Sequence, residues 1–291
     1  MSSQPDSGGD ELSPPPITED RVLRLDDERF HPDNVAIVTG AASGIGRATA
    51  IALAVNGLTV VGLDVDEAGL NDTVETVESL GADGRAVAAA ADLTDDAETE
   101  AAVEAAAEEG QIRYLANIAG MQHISPISEF PMEAYDDMTD VMVRAPFLLS
   151  KLVMPHVRAT EDGVGAVGNM SSVHGRYATR DKATYITAKH ALNGLTRSIA
   201  AEGEGTLRGF SVSAGYVLTP LMADQIADTA EERGITEEAV IEDVMLGQAR
   251  TKELMVPVEV ANLYVFGFSS HARHLNGGDL LFDGGYTKTY E

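Results

Sequence analysis

Tyr185 and Lys189 stand four residues apart. On a helix, two residues at that spacing share one face, a single turn apart. Ser172 lies thirteen residues before the tyrosine, at the end of an apolar run that reads as a strand. A hydroxyl, a phenol and an ammonium brought together can polarise a carbonyl and move a proton. The Tyr-x-x-x-Lys spacing alone is weak evidence, because ordinary helix surfaces carry it too. Its meaning depends on the elements that must position it.

Residues 35–39 are a short apolar run, as a strand buried on both faces requires. Gly40, Ser43, Gly44, Ile45 and Gly46 follow as a glycine-rich turn, then a helical pattern over 47–56. Such a turn lets a backbone approach a pyrophosphate, with the helix N-terminus facing the negative charge. A second strand, 59–63, ends at Asp64, twenty-four residues past Gly40. A carboxylate there can accept from an adenosine ribose and repel a 2′-phosphate, which favours NAD over NADP. By spacing alone, an ordinary surface aspartate fits equally well. A helix over 67–80, a strand over 85–90, a helix over 95–109 and a strand over 114–117 come next. Asp92 and Leu93 sit just past the third strand, where Asp92 can meet an adenine edge.

A long helix over 134–157 contains Pro146. A strand over 166–170 leads into Ser172 and the helix of Tyr185 and Lys189, which runs to about residue 201. A sixth strand over 210–213, a polar excursion over 220–253 able to close as a lid, a helix over 257–268 and a strand over 279–282 complete the pattern. The alternation predicts one Rossmann-type domain, a doubly wound parallel sheet in three α/β/α layers. Ligands of such sheets bind beyond the carboxyl ends of the strands. Gly40, Asp64, Asp92, Asn117 and Ser172 all fall there. Residues 1–32, rich in Ser, Pro, Gly, Asp and Glu, read as a flexible acidic tail, within which 21–30 could dock as a short helix.

The 291-residue chain carries 47 acidic against 20 basic residues, a net charge of −27. That balance repels nucleic acid and anionic membranes. Two readings compete: a solvated acidic surface suited to high salt, and an acidic face for a basic partner. The acids are spread along the chain rather than blocked, which favours salt adaptation. The scarcity of lysine, with only Lys151, Lys182, Lys189, Lys252 and Lys288, resembles proteins of extreme halophiles. Without cysteine, disulfides and thiolate metal sites are impossible. The seven histidines do not pair with carboxylates at helical ligand spacing, so no metal is expected. The N-terminus lacks the basic start and apolar core of a signal peptide, and no apolar run approaches the roughly eighteen residues of a membrane span. A cytoplasmic location is expected.

Thr39-Gly40-Ala41-Ala42-Ser43-Gly44-Ile45-Gly46, Asn117-x-Ala-Gly120, Ser172 and Tyr185-x-x-x-Lys189 resemble the short-chain dehydrogenases/reductases in order and spacing, over residues 33–291. Met121-Gln122-His123, Ser172-Val173-His174-Gly175, Lys182, Pro220-Leu221 with Gln225, and Asp283-Gly284-Gly285-Tyr286 are similar to the D-3-hydroxybutyrate dehydrogenase branch. The resemblance implies hydride transfer between NAD and a short 3-hydroxy acid. Tyr185 would be the general acid/base, made more acidic by the Lys189 ammonium and the cofactor's positive ring. Lys189 would also bind the nicotinamide ribose. Ser172 would hydrogen-bond the substrate oxygen. Gln122, His174, Lys182 and Gln225 would bind the carboxylate, with Tyr216 and Tyr286 as aromatic walls. Leu93, Gly120, Val217 and Thr219 would contact cofactor. A homotetramer packed through the two long helices and the C-terminal region is implied as well.

Three departures matter. Ala214-Gly215 stands for the usual Pro-Gly, and Ile118 for a second asparagine. Met142 stands for the asparagine at a helix kink whose carbonyl holds the water of a proton relay. Pro146, four residues later, cannot donate to the Met142 carbonyl, which would keep that carbonyl available to the relay. Alternative activities are a related dehydrogenase of a sugar acid, a polyol or a 3-oxoacyl thioester. More remote is a non-catalytic NAD(H) sensor.

Overall fold

The computed structural model describes residues 13–289. The strands are β1 (Asn34–Thr39), β2 (Thr59–Asp64), β3 (Arg85–Ala90), β4 (Gln111–Asn117), β5 (Gly165–Met170), β6 (Leu207–Ala214) and β7 (Gly278–Phe282). They form one sheet in the order β3-β2-β1-β4-β5-β6-β7, with every pairing parallel. The helices are α1 (Gly44–Val55), α2 (Glu67–Ser79), α3 (Asp96–Glu108), α4 (Met132–Thr139), α5 (Ala145–Ala159), α6 (Ala183–Glu202), α7 (Pro220–Arg233), the short α8 (Glu237–Ala239) and α9 (Pro257–Phe268). Strand order reverses between β1 and β4, which opens a crevice at their carboxyl ends.

The pleat explains the two cores. From β1, Val35 and Ile37 join Leu115, Val167 and the α5 residues Leu149 and Val153. Ala36 and Val38 join Ile51 and Val55 of α1 and Val260, Tyr264 and Phe268 of α9 on the other face. Both faces are covered, so β1 reads as an unbroken apolar run.

Two strands are longer than the hydropathy pattern predicts, because each hides an arginine. β4 begins at 111, not 114. Arg113 donates to Asn34 Oδ1 (2.7 Å), Asp162 Oδ1 (2.6 Å) and the Val164 carbonyl (2.8 Å). β6 begins at 207, not 210. Arg208 donates to the carbonyl oxygens of Phe268, Ser269, Ala272 and Leu275. A guanidinium is tolerated inside when neighbours meet its fixed fork of donors.

The helix expected over 134–157 is two helices. Between α4 and α5 lies a π-helical turn, Asp140–Arg144, where the Ala145 N–H reaches back to the Asp140 carbonyl. Pro146 lacks an N–H, so one helix bond must be missing here, and the wider turn absorbs the break.

The tail expected over 1–32 falls partly outside the described residues. Its described part is not free. Leu23 N–H donates to Asn262 Oδ1, and Asn262 Nδ2 donates to the Arg21 carbonyl. Asn56 makes the same two-way contact with the Leu25 N–H and the Leu23 carbonyl. Side-chain amides thus satisfy this backbone as a neighbouring strand would. Val22 is buried. Only Glu19–Arg21 is helical, as a single 3-10 turn. Among the described residues, no helix is long and apolar enough to cross a membrane.

Candidate active site

The turns beyond β1, β4, β5 and β6 line one cleft of roughly 1050 Å³, mouth included. One wall is the turn of Gly40, Ser43, Gly44, Ile45 and Gly46. Gly46 has to be glycine, because a Cβ there would lie 1.9 Å from the Gly40 carbonyl oxygen. Helix α1 therefore starts hard against the turn. Ser43 stands at its N-cap but makes no side-chain bond to α1 among the described residues. The first-turn amides remain available to an anion. Thr39 Oγ1 accepts from the Ile118 N–H (2.9 Å) and the Ala119 N–H (3.0 Å), locking the exit of β4 to that of β1. Ile118, Ala119 and Gly120 line the cleft at this point.

Helix α6 brings Tyr185 and Lys189 into the cleft, and the exit of β5 brings Ser172. Lys189 Nζ donates to the Met170 carbonyl (2.8 Å) and lies 5.2 Å from the centre of the Tyr185 ring. Burial lowers Lys189 to about 8. Burial pushes the Tyr185 phenol up, and a hydrogen bond with the Ser172 hydroxyl pulls it partly back. The acidification of Tyr185 expected from Lys189 is thus not a property of the protein alone. The ammonium sits over the ring, and burial is the largest influence on the phenol.

Ser172 Oγ accepts the His174 N–H (3.2 Å) at the head of a single 3-10 turn, Val173–Gly175. His174 meets Tyr185 edge to face at 5.9 Å, and its Nε2 lies 3.1 Å from Thr179 Oγ1. Burial first, and the Lys182 charge second, lower His174 to about 4, so the ring is neutral at physiological pH. Lys182 lines the cleft and is lowered by burial. Gln122 reaches the cleft from the loop after β4. Its Nε2 is buried without a hydrogen-bond partner among the described residues. Tyr216, Val217 and Thr219 line it after β6, and Leu221, Met222 and Gln225 line it from α7. The arrangement offers proton transfer at Tyr185, a hydroxyl at Ser172 and positive charge at two lysines.

The family model described as short chain dehydrogenase matches residues 34–230. The chain belongs to the short-chain dehydrogenases. It is 35% identical over 257 residues to the D-beta-hydroxybutyrate dehydrogenase of Rhizobium meliloti (strain 1021), covering 87% of this chain and 98% of that protein. It is 31% identical over 254 residues to the D-beta-hydroxybutyrate dehydrogenase of Cupriavidus necator, covering 86% of this chain and 96% of that one. The crystal structure of levodione reductase matches with a TM-score of 0.82 at 30% identity, covering 89% of this chain and all of that one. The names of these relatives differ in substrate. Membership therefore sets the reaction class, oxidoreduction of a small molecule, and leaves the substrate to the pocket.

In this short-chain dehydrogenase, some expected site residues lie outside the cleft wall. Asp64 ends β2 beside the glycine turn and braces it. Its Oδ2 accepts the Ala42 N–H (3.1 Å) and its Oδ1 the Asp66 N–H (3.1 Å). Asp92 is exposed and accepts the Thr94 N–H and hydroxyl (2.9 and 2.8 Å), bonds that hold its carboxyl below the usual range. Leu93 is buried in the core with Leu63. Asn117 stands opposite Asn169 across β4 and β5 and donates to its side chain (2.8 Å). Asn169 donates in turn to Thr196 of α6 (2.9 Å). The strand register therefore turns Asn117 toward sheet and helix instead of the cleft. Met142 is fully buried against Met138, Ala188 and Tyr185. Tyr286 stands edge to face with Tyr216 at 5.8 Å and stacks on Tyr177 at 5.8 Å, so it backs the wall instead of forming it.

Two contributors escaped the sequence reading. The Met170 carbonyl that holds Lys189 is backbone, so no residue type signals it. In the sequence Thr39 reads only as the first residue of the glycine motif, and its hydrogen bonds from the Ile118 and Ala119 N–H come from the fold.

Proposed function

We propose that this short-chain dehydrogenase oxidises D-3-hydroxybutyrate to acetoacetate, reversibly, with NAD. The observation that carries the substrate class is Gln122, whose buried Nε2 has no partner among the described residues and shares the cleft with Lys182. A buried donor left unpaired costs about 1–3 kcal/mol. A substrate carboxylate beside Lys182 removes that cost. His174 and Gln225 complete the carboxylate site from separate elements, with Tyr216 as an aromatic wall and Tyr286 behind it.

The residues fit a nicotinamide dinucleotide. The uncapped first turn of α1 suits a pyrophosphate. Asp64, beside that turn, suits a ribose and repels a 2′-phosphate, which selects NAD. Asp92, Leu93, Gly120, Val217 and Thr219 would hold other parts of the dinucleotide. The bound nicotinamide supplies the hydride acceptor. Ser172 orients the substrate oxygen by its hydroxyl. Tyr185 takes the hydroxyl proton in oxidation and returns it in reduction. Lys189, from over the ring, offsets the negative charge the phenol gains. Met142 packs behind Tyr185. We assign the proton relay to backbone at the π turn, where Pro146 withholds an N–H.

The test is NADH formation from D- and L-3-hydroxybutyrate, with NADP in parallel. Activity confined to the D acid and NAD is expected. Silence with both acids, together with NADH binding, overturns the substrate. The likeness to levodione reductase favours a neutral ketone as the second reading, so such a ketone belongs in the panel with a sugar acid, a polyol and a 3-oxoacyl thioester. We also propose a cytoplasmic homotetramer adapted to salt. Phe147 of α5, 63% exposed, supports packing through the long helices, and the net charge of −27 supports the salt adaptation.

A further inference from the structure

The turn that carries Ser172 and His174 is held by α6 and β7. Toward α6, the Ser171 hydroxyl donates to the Lys189 carbonyl (3.2 Å). Asn193 Nδ2 donates to the Gly175 carbonyl (3.1 Å). A Cβ on Gly175 would lie 2.5 Å from Ser171 Oγ and 2.8 Å from Asn193 Nδ2, so the turn is pressed onto α6 without slack. The next residue, Arg176, reaches the edge strand of the sheet. Its Nε donates to Asp279 Oδ2 (2.9 Å), and its Nη2 bonds the same oxygen. Asp279 lies on the edge strand β7, directly opposite Ser211 of β6, whose hydroxyl donates to Asp279 Oδ1 (2.8 Å). Both carboxylate oxygens are thus engaged. The two side chains are 30% and 16% exposed, so solvent and salt screen the pair only in part.

A single 3-10 turn has poor hydrogen-bond geometry and does not hold itself rigid. Besides α6, the turn is tied to β6 where the Ser171 N–H donates to the Val212 carbonyl (2.8 Å), and these bonds leave its outer end at Arg176 to the side chain of that residue. The guanidinium grip adds a restraint from the edge strand β7. We propose that Arg176 is a positioning residue. Its clamp on Asp279 fixes the Val173–Gly175 turn between α6 and β7 and so sets where the Ser172 hydroxyl and the His174 ring meet the substrate. Arg176 is not part of the cleft wall and acts through the turn. The proposal rests on the hydroxy-acid reading for the roles of Ser172 and His174.

Arg176→Met keeps the length and removes the grip. A displacement of about 1 Å at a reacting group can cost up to ~100-fold in rate. The expected result is a kcat for the hydroxy acid lower by about tenfold or more, with a higher KM for the acid and unchanged NADH affinity by fluorescence. The His174 ring signal in nitrogen–proton correlation spectra, identified by its loss in His174→Gln, should shift. Arg176→Lys should recover part of the activity. The charge reversal Arg176→Asp with Asp279→Arg should recover part of what Arg176→Asp loses. A lower melting temperature with unchanged kcat, KM and His174 signal would reduce Arg176 to a structural role and overturn the proposal. Should Arg176→Met fail to fold, Arg176→Lys keeps the charge but weakens the grip and gives the same readings at smaller amplitude. Failure of the wild type to oxidise any hydroxy acid would remove the substrate reading, while the His174 signal would still decide the role of Arg176.

Discussion

At the scale of single residues, Tyr185 carries the sharpest consequence. A general acid/base contributes about 10²–10⁴-fold, so Tyr185→Phe should lower turnover by that order while NADH affinity stays nearly unchanged. Stopped-flow turnover with fluorescence titration of NADH checks both halves, and unchanged turnover would refute the role. Lys182→Ala should raise the KM for the acid by roughly ten- to a hundredfold, as loss of a hydrogen bond to a charged group implies, and barely affect a neutral ketone. Equal losses with both substrates would speak against a carboxylate site.

His174 makes a stability prediction. Its folded value is about 4 against an ordinary 6.5. Between those pH values the unfolded chain binds a proton that the folded chain does not. Stability contributed by the neutral ring is therefore present above about 6.5 and lost as pH falls toward about 4. His174→Gln should flatten the fall of the urea midpoint across that window. An unchanged slope would place the acid sensitivity elsewhere.

Among the elements, the joint between α4 and α5 separates what a pattern can reveal from what geometry decides. Pro146 was legible as a missing donor, because that follows from its covalent structure. The π turn that replaces a kinked α-helix was not, since it depends on how Met138 and Met142 pack against Ala188 and Tyr185. Pro146→Ala restores an N–H at this joint. If a backbone carbonyl there serves the relay, kcat should fall severalfold with KM unchanged, most visibly in the pH dependence of turnover. Identical pH profiles for variant and wild type would exclude that route.

On the scale of the whole molecule, charge and the N-terminal segment act together. With 47 acids and 20 bases, self-repulsion opposes the compact state, and salt screens it. The thermal midpoint should rise steadily from low to molar sodium chloride. A flat profile would favour the acidic surface as a face for a basic partner. Residues around Val22 and Leu23 are pinned by Asn56 at the end of α1 and Asn262 in α9. They tie together two of the helices, α1 and α9, that cover one face of the sheet.

The sequence by itself determined the doubly wound order, the glycine turn and the meeting of Tyr185 with Lys189. Each rests on local physics: strand and helix periodicity, backbone freedom at glycine, and the four-residue turn of a helix. The family resemblance, rather than local physics, marked Gln122, His174, Lys182 and Gln225, and the fold gathers all four into one cleft. Only the tertiary structure decided which neighbour a polar side chain prefers. Asn117 could have faced a ligand, but the register of β4 against β5 hands it to Asn169. Tyr286 could have walled the pocket, but stacking on Tyr177 holds it one layer back. Arg113 and Arg208 argued against strands until acceptors from distant segments surrounded them. Arg176 gains its role only where the fold brings Asp279 of β7 to it. Hydrogen-bond partners far apart in the chain leave no periodic trace, and in this protein those partners, more than residue types, set the shape of the site.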